Sequence, residues 1–433
     1  MAFAYAYEWA GEDKMRVDKP FSVDGYFWLP SDENNKFYGT LKVEEDGKVE
    51  LEILGKFSNK ANLNIIVGQT EEGYFVLEDC FHLTYNIPIT SLVKNRIHVT
   101  TLYKNISYKE DEKNEDILFN TFSFTVDGLN EWLNIKKIKL NTDITNKKFS
   151  LETKELENFT FKIAKDIKLK FQIILSNKNN GDYEITIKQS SIIELISNKK
   201  EPLDFFIQLS NKILRFLSLA IDKSINIKNI KVTNSDIYHE YGNEKIPIEI
   251  EVYKKIFLFS KNIGDITPHN MLFKYTDIQD SFQEKIQKWI VNYDNLKSAL
   301  NLFFSVRYGL NQYAESEFLS LAQAFETFHR KLNKSQKKID YVIRVKEFIK
   351  PFQKYINEDV EELSKIIKIT RNYYTHYDDK NLNKAVPPEK LYYLSRKMEG
   401  ILQLNFLKLI GFTEEEIDKI VNGFIGLKNK LAF

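Results

Sequence analysis

Arg371 and His376 stand five positions apart in the run Lys365-Ile-Ile-Lys-Ile-Thr-Arg371-Asn372-Tyr373-Tyr374-Thr375-His376-Tyr377-Asp378-Asp379. A fixed cation beside a titratable imidazole suits phosphate-ester chemistry, and RNA in particular. An imidazole that titrates near neutrality can take a proton from a ribose 2′-hydroxyl or give one to the leaving 5′-oxygen. A guanidinium beside it holds the scissile phosphate and offsets the charge that develops there. RNA carries its own nucleophile, so such a pair needs no metal. The other histidines (His82, His98, His239, His269 and His329) are scattered, with no paired-ligand spacing. His329 reads as a helix-surface residue. Cys80, the single cysteine, is flanked by Phe81 and reads as a small buried residue; a disulfide framework is excluded within one chain.

Helix geometry constrains the pair. Five residues advance about 7.5 Å and about 140° around an ideal helix, so Arg371 and His376 do not share a face. They converge if the arginine curls over, or if His376 lies where the helix ends, as Asp378-Asp379 suggests. A two-fold dimer offers another route, with two arginines and two histidines around one cleft. The bare spacing also has an ordinary reading, a helix-terminal histidine near a surface arginine.

The elements around the pair are helical. From residue 281 apolar residues recur at intervals of three and four: Phe282, Ile286, Trp289, Tyr293, Leu296, Leu300, Phe303, and then Phe318, Leu321, Phe325, Phe328, Leu332. Pro351 punctuates the middle of the region. A helix over 358–377 turns Val360, Leu363, Ile366, Ile367 and Ile369 or Thr370 inward. Pro387-Pro388 opens another over 388–410, which Gly411 caps, and Thr413-Glu-Glu-Glu416 is a capping box for a short last helix.

The first 190 or so residues read as strands. Gly39–Gly55 is a hairpin: Leu41 and Val43 alternate with polar residues, Asp46-Gly47 turns, and Val49, Leu51 and Ile53 alternate back. Further strands are expected at 25–30, 64–67, 74–77, 97–103, 117–126, 159–163, 168–175 and 183–188, with loops at 108–116 and 176–182. Helical spacing returns over 203–222, where Phe206, Leu209, Ile213, Phe216 or Leu217, and Ala220 form one stripe. A second β stretch follows near 226–260.

At 433 residues and 43% hydrophobic the chain can bury two or three cores. Net charge is +1 overall, but residues 281–433 carry +6 and the first 280 carry −5. A basic C-terminal part permits an anionic partner without requiring one. No signal peptide and no membrane-length apolar run is visible, and a cytoplasmic location is expected.

A resemblance sharpens this. Glu315-Ser-Glu-Phe-Leu-Ser-Leu-Ala-Gln-Ala-Phe-Glu326-Thr-Phe-His329-Arg330 looks like the second helix of the HEPN superfamily, and Arg371-Asn372-Tyr-Tyr-Thr-His376 looks like its signature. Residues 281–433 thus resemble the ApeA-like HEPN proteins of bacterial phage defence. Gly25–Pro30, Gly39-Thr-Leu, Leu51–Phe57, Glu131-Trp132-Leu133 and Phe216–Ala220 are similar to the N-terminal domain of that family. The resemblance implies an α+β multidomain chain. A mainly-β, sandwich-like region over 1–275 has an inserted helix and an internal boundary near 150–200; an all-α HEPN bundle occupies 276–433. It implies a metal-independent, cofactor-free endoribonuclease acting in abortive infection, dimeric through the bundle and restrained or triggered by its N-terminal region through a phage-derived signal. The RNA, whether transfer, ribosomal or messenger, is left open.

By this resemblance Arg371 and His376 are catalytic, Asn372 orients the histidine or the phosphate, and Glu326 braces Arg371 from the facing helix. Tyr373, Tyr374 and Tyr377 are candidates for base stacking, with core or dimer contacts as the alternative. Lys331, Lys334, Lys337, Lys338, Arg344 and Lys346 are candidates for the RNA backbone, with a solvated charge run as the alternative. Two other functions compete. One is a non-catalytic module that binds RNA, nucleotide or protein. The other is a β domain that binds a ligand such as carbohydrate on Trp28, Trp132 and Tyr26, with a helical dimerisation tail.

Overall fold

The computed structural model describes residues 20–57, 62–84, 94–106, 117–179, 181, 184–255, 263–311, 313–333 and 339–432. The expected loop at 108–116 lies outside these residues. The chain divides into two compact units. One comprises residues 1–130, 136–210 and 226–259, the other 131–135, 211–225 and 260–433. The division is therefore not a single cut near 275: two early segments join the helical unit.

The first unit is built on one twelve-stranded sheet among the described residues. Its strands β1 (Phe21–Leu29), β2 (Asp32–Val43), β3 (Val49–Leu54), β4 (Asn62–Thr70), β5 (Gly73–Thr84) and β6 (Lys94–Lys104) run in the order β6-β3-β2-β1-β4-β5, and β5 pairs again with β6. The sheet thereby closes on itself as a six-stranded barrel, so opposing walls of the layer come from one sheet. Alternation fills the inside: Phe27, Leu41, Leu51, Ile66, Phe75, Leu77 and Ile97 are fully buried in one cluster, joined by Cys80. The β2–β3 hairpin turns at Gly47 with φ +80°. Gly68 is required by close approach, since a Cβ there would lie 2.5 Å from the Phe27 ring.

Beyond β6 the sheet continues through β16 (Ile250–Lys254), β13 (Ile227–Thr233), β7 (Leu118–Val126), β12 (Ile185–Pro202), β11 (Ile167–Asn179) and β10 (Phe159–Lys162). The β11–β12 ladder runs to the pair Asn179 and Ile185, so residues 176–179, expected as loop, are strand. Backbone pairing overrides the weak local preference of Asn and Lys there. Two small hairpins stand apart: β8 (Ile138–Asp143) with β9 (Lys148–Thr153), and β14 (Tyr238–Tyr241) with β15 (Glu244–Pro247). Leu129–Leu133 is a short helix, α1, and Leu203–Ile221 is α2. In the first unit Phe206 of α2 stacks on Phe122 at 5.8 Å.

The second unit is helical: α3 (Tyr275–Ile278), α4 (Phe282–Arg307), α5 (Ala314–Leu332), α6 (Tyr341–Ile349), α7 (Val360–His376), α8 (Pro388–Leu409), α9 (Glu414–Gly423) and α10 (Ile425–Ala432). Pro351 sits in a 3-10 turn, Lys350–Tyr355, between α6 and α7. Asp340 and Asp359 cap α6 and α7 by accepting backbone N–H bonds, the Thr413–Glu416 capping box starts α9, and Gly411 follows α8 at φ +95°. The aromatic core centres on Phe406, with Phe303 and Phe328 each 5.1 Å away. Trp132 and Phe216, from the early segments, pack with Phe282, and Phe216 also meets Trp289.

The early segments also supply charge. Arg307 bonds Asp222 at 2.8 Å and also pairs with Glu399; Lys430 reaches Glu399 at 2.9 Å and Asp222 at 3.2 Å; Arg396 bonds Glu399 at 2.6 Å; Gln403 donates to Asp222 at 2.6 Å. Burial on its own would raise the Glu399 carboxyl, but Lys430, Arg307 and Arg396 overcome it and hold it at about 2.

Candidate active site

The site is assembled on α7, with α5 and α6 facing it. On α7, Val360, Leu363, Ile367, Thr370 and Tyr374 are buried. Ile366, expected inward, is exposed: one step past the stripe, it falls on the solvent face. Phe318 of α5 meets Tyr374 edge-on at 6.3 Å, which fixes one side of α7 against α5.

Arg371 projects from the adjoining face and is half-buried. Its guanidinium has three neighbours. Glu326 of α5 is an ion-pair partner at 3.6 Å, the Asn372 side-chain oxygen accepts a bond at 3.2 Å, and the Tyr341 ring of α6 lies 5.4 Å from the guanidinium carbon. Glu326 is shared, since Arg330 one turn on binds it at 2.7 Å. Arg371, Asn372 and Glu326 therefore come together in one chain.

His376 is the last residue of α7. Tyr377 follows in the left-handed region, φ 51° and ψ 41°, and its N–H bonds back to the Tyr373 carbonyl. That turn ends the helix and leaves His376 exposed, with no hydrogen-bond or ion-pair partner among the described residues. No hydrogen bond joins Arg371 to His376 within the chain.

The tyrosines separate. Tyr374 is 5% exposed and its hydroxyl donates to the Val386 carbonyl at 2.9 Å, so it cannot stack on a base; burial pushes that hydroxyl up to about 12. Tyr373 is half-buried, and Tyr377, 63% exposed, packs edge-on to both. The basic run also changes. Lys334, Lys337 and Lys338 lie outside the described residues. Lys346 pairs with Glu361.

Arg344 is buried, and His329, expected on the surface, is 2% exposed. The Arg344 guanidinium donates to His329 Nδ1 at 3.0 Å. Nδ1 is then the acceptor, so Nε2 carries the ring proton and donates to Glu347 at 2.5 Å. His329 thus rivets α5 to α6. The sequence held a signal: His329 follows Phe325 by four and Ala322 by seven, on the buried stripe. Tyr341 was also missed, and nothing in the sequence beyond its place after the Asp340 cap marks it. The Trp28–Trp132–Tyr26 platform does not form. Trp132 is fully buried in the helical unit, Trp28 is 7% exposed under Lys36, and Tyr26 is exposed on β1.

Comparison with known families agrees with this architecture. The ApeA N-terminal domain 1 family matches residues 22–289, more than half of the chain, and the Apea-like HEPN family matches residues 319–416. The chain belongs to the ApeA family. The HEPN match spans α5 to α9 and contains Glu326, Tyr341, Arg371 and His376. For an ApeA-type chain the HEPN bundle implies a nuclease-type function in anti-phage defence. No curated protein and no solved structure matches the chain significantly. Among the described residues no helix is long and apolar enough to cross a membrane.

Proposed function

We propose that the chain is an endoribonuclease that cleaves RNA by attack of the ribose 2′-oxygen on the adjacent phosphorus, with Arg371 and His376 as its catalytic residues. The observation that carries this reading is the pre-set guanidinium of Arg371, with an exposed histidine that has no partner among the described residues at the helix end five positions on. Arg371 holds the non-bridging phosphate oxygens and offsets charge as the pentacoordinate state forms. One histidine removes the 2′-hydroxyl proton, and another protonates the leaving 5′-oxygen. The products are a 2′,3′-cyclic phosphate and a 5′-hydroxyl. The two proton transfers need two imidazoles, and each chain offers one exposed helix-end histidine here. A homodimer with the two α7 ends in one cleft supplies both.

Glu326 and Asn372 keep Arg371 oriented, and Tyr373 and Tyr377 are the rings available to an unstacked base. Lys334, Lys337 and Lys338 are proposed to contact the RNA backbone, and the N-terminal unit to restrain or trigger the nuclease. The test is incubation of the whole protein with total RNA in excess EDTA, beside His376→Ala, with the fragment ends mapped. Cleavage that survives EDTA, leaves 5′-hydroxyl ends and is lost in the variant supports the reading. Cleavage that needs a metal, or persists in the variant, overturns it.

A further inference from the structure

Besides its polar partners, the Arg371 guanidinium meets an aromatic ring. The Tyr341 ring lies 5.4 Å from the Arg371 guanidinium carbon, within the range over which a ring quadrupole attracts a cation. Tyr341 is itself held from several directions. Its hydroxyl donates to the Ala322 carbonyl of α5 at 3.0 Å, one turn before Glu326. Asp340, which caps α6, bonds Lys368 of α7 at 3.0 and 3.2 Å, three residues before Arg371. Arg344, three residues after Tyr341, bonds the buried His329 of α5. The first turn of α6 is therefore pinned twice to α5 and once to α7, and the ring has little freedom to tilt.

Glu326 engages Nη2 and Asn372 engages Nη1. Those two contacts fix which way the fork points but leave the guanidinium plane free to rock about its long stem. A face pinned below it removes that freedom, because the ring's attraction is strongest over its centre and weakens as the cation slides off.

We propose that Tyr341 is a positioning residue for Arg371: its ring, fixed by the α5–α6–α7 contacts, sets the attitude in which the guanidinium receives a phosphate. This rests on the catalytic reading of Arg371 given above. Burial keeps the Tyr341 hydroxyl protonated well beyond its ordinary range, so the anchor to Ala322 persists at any working pH.

The test replaces Tyr341 by phenylalanine and then by 4-fluoro-, 3,5-difluoro- and 3,4,5-trifluorophenylalanine in the full chain. Fluorination drains the ring's negative face with little change of shape, so a purely structural residue gives a flat series. Two readouts are taken: kcat for a fluorescent oligoribonucleotide, and the Nε–H signal of Arg371 in a 15N spectrum, assigned by its loss in Arg371→Lys. The trifluoro ring is expected to lower kcat about fivefold relative to phenylalanine, which itself removes the anchor to Ala322 and so serves as the reference of the series. The Arg371 signal should move step by step along the series. A flat kcat and an unmoved signal, in a wild type that does cleave RNA and in which Arg371→Lys does not, overturns the positioning role and spares the catalytic reading. If wild type cleaves nothing, even with an extract of infected cells added, but the signal still tracks the ring, the catalytic reading fails and the clamp on Arg371 stands.

Discussion

The side chains of α7 differ in what they owe to the fold, and that difference separates activity from stability. His376 is exposed and has no partner among the described residues. His376→Ala should therefore abolish RNA cleavage while leaving the thermal midpoint where it was, checked by differential scanning calorimetry beside the cleavage assay. Arg371→Lys keeps the charge but loses the planar fork that meets Glu326, Asn372 and the Tyr341 ring together. We expect a kcat loss of about a hundredfold or more, the scale for removing one preset donor from a developing oxyanion. Tyr374→Phe is the converse. It removes the bond to the Val386 carbonyl and should cost about 1 kcal/mol in urea denaturation with cleavage intact. A Tyr374→Phe protein that folds well and fails to cleave would instead give that hydroxyl a part in the chemistry.

At the scale of elements, α7 depends on its start as much as on its apolar face. Asp359 accepts from Glu361 N at 2.9 Å and Glu362 N at 3.0 Å. Asp359→Ala should lower stability by about 1 kcal/mol. This α7 was readable beforehand because apolar spacing and the helix-ending Asp378-Asp379 agree locally, whereas its Asp359 cap emerges only from the structure. The β2–β3 hairpin was readable for the same reason, with alternation on both sides of Asp46-Gly47. The second meeting of β5 with β6 was not, since nothing in either strand says which neighbour closes a barrel. Gly68, opposite Phe27, belongs to the β1–β4 pairing and does not mark that closure. Arg371 and His376 were singled out by type and spacing together with the family resemblance. Tyr341 and the His329–Arg344 rivet were not, because their meaning lies in α6 crossing α5 and α7, a packing choice with no local signature. A buried histidine four residues after a buried phenylalanine was nonetheless there to be read.

For the helical unit as a whole, the charge network around Glu399 is the most exposed to test. The Glu399 carboxyl is depressed in the folded chain to about 2, below the ordinary unfolded value of about 4.3. Its contribution is therefore fully present above that ordinary value and is lost as pH falls from there toward about 2. Urea midpoints measured from pH 7 down to 2.5 should fall through that window in wild type, and more shallowly in Glu399→Gln. At pH 7 Glu399→Gln should cost about 3 kcal/mol, because Arg307, Lys430 and the partly exposed Arg396 lose the buried carboxylate they share, with Asp222 still holding the first two. A fragment of residues 276–433 lacks Trp132, Phe216 and Asp222, and its near-ultraviolet circular dichroism should show no fixed aromatic packing.

The same network joins residues made early to residues made late. Asp222 leaves the ribosome some two hundred residues before Lys430, yet the two share one buried cluster with Arg307 and Glu399. Until α10 has emerged, that cluster is short of a cation, and Leu427 and Leu431 are missing from the core. The helical unit therefore cannot complete its packing until α10 is made, some two hundred residues after Asp222.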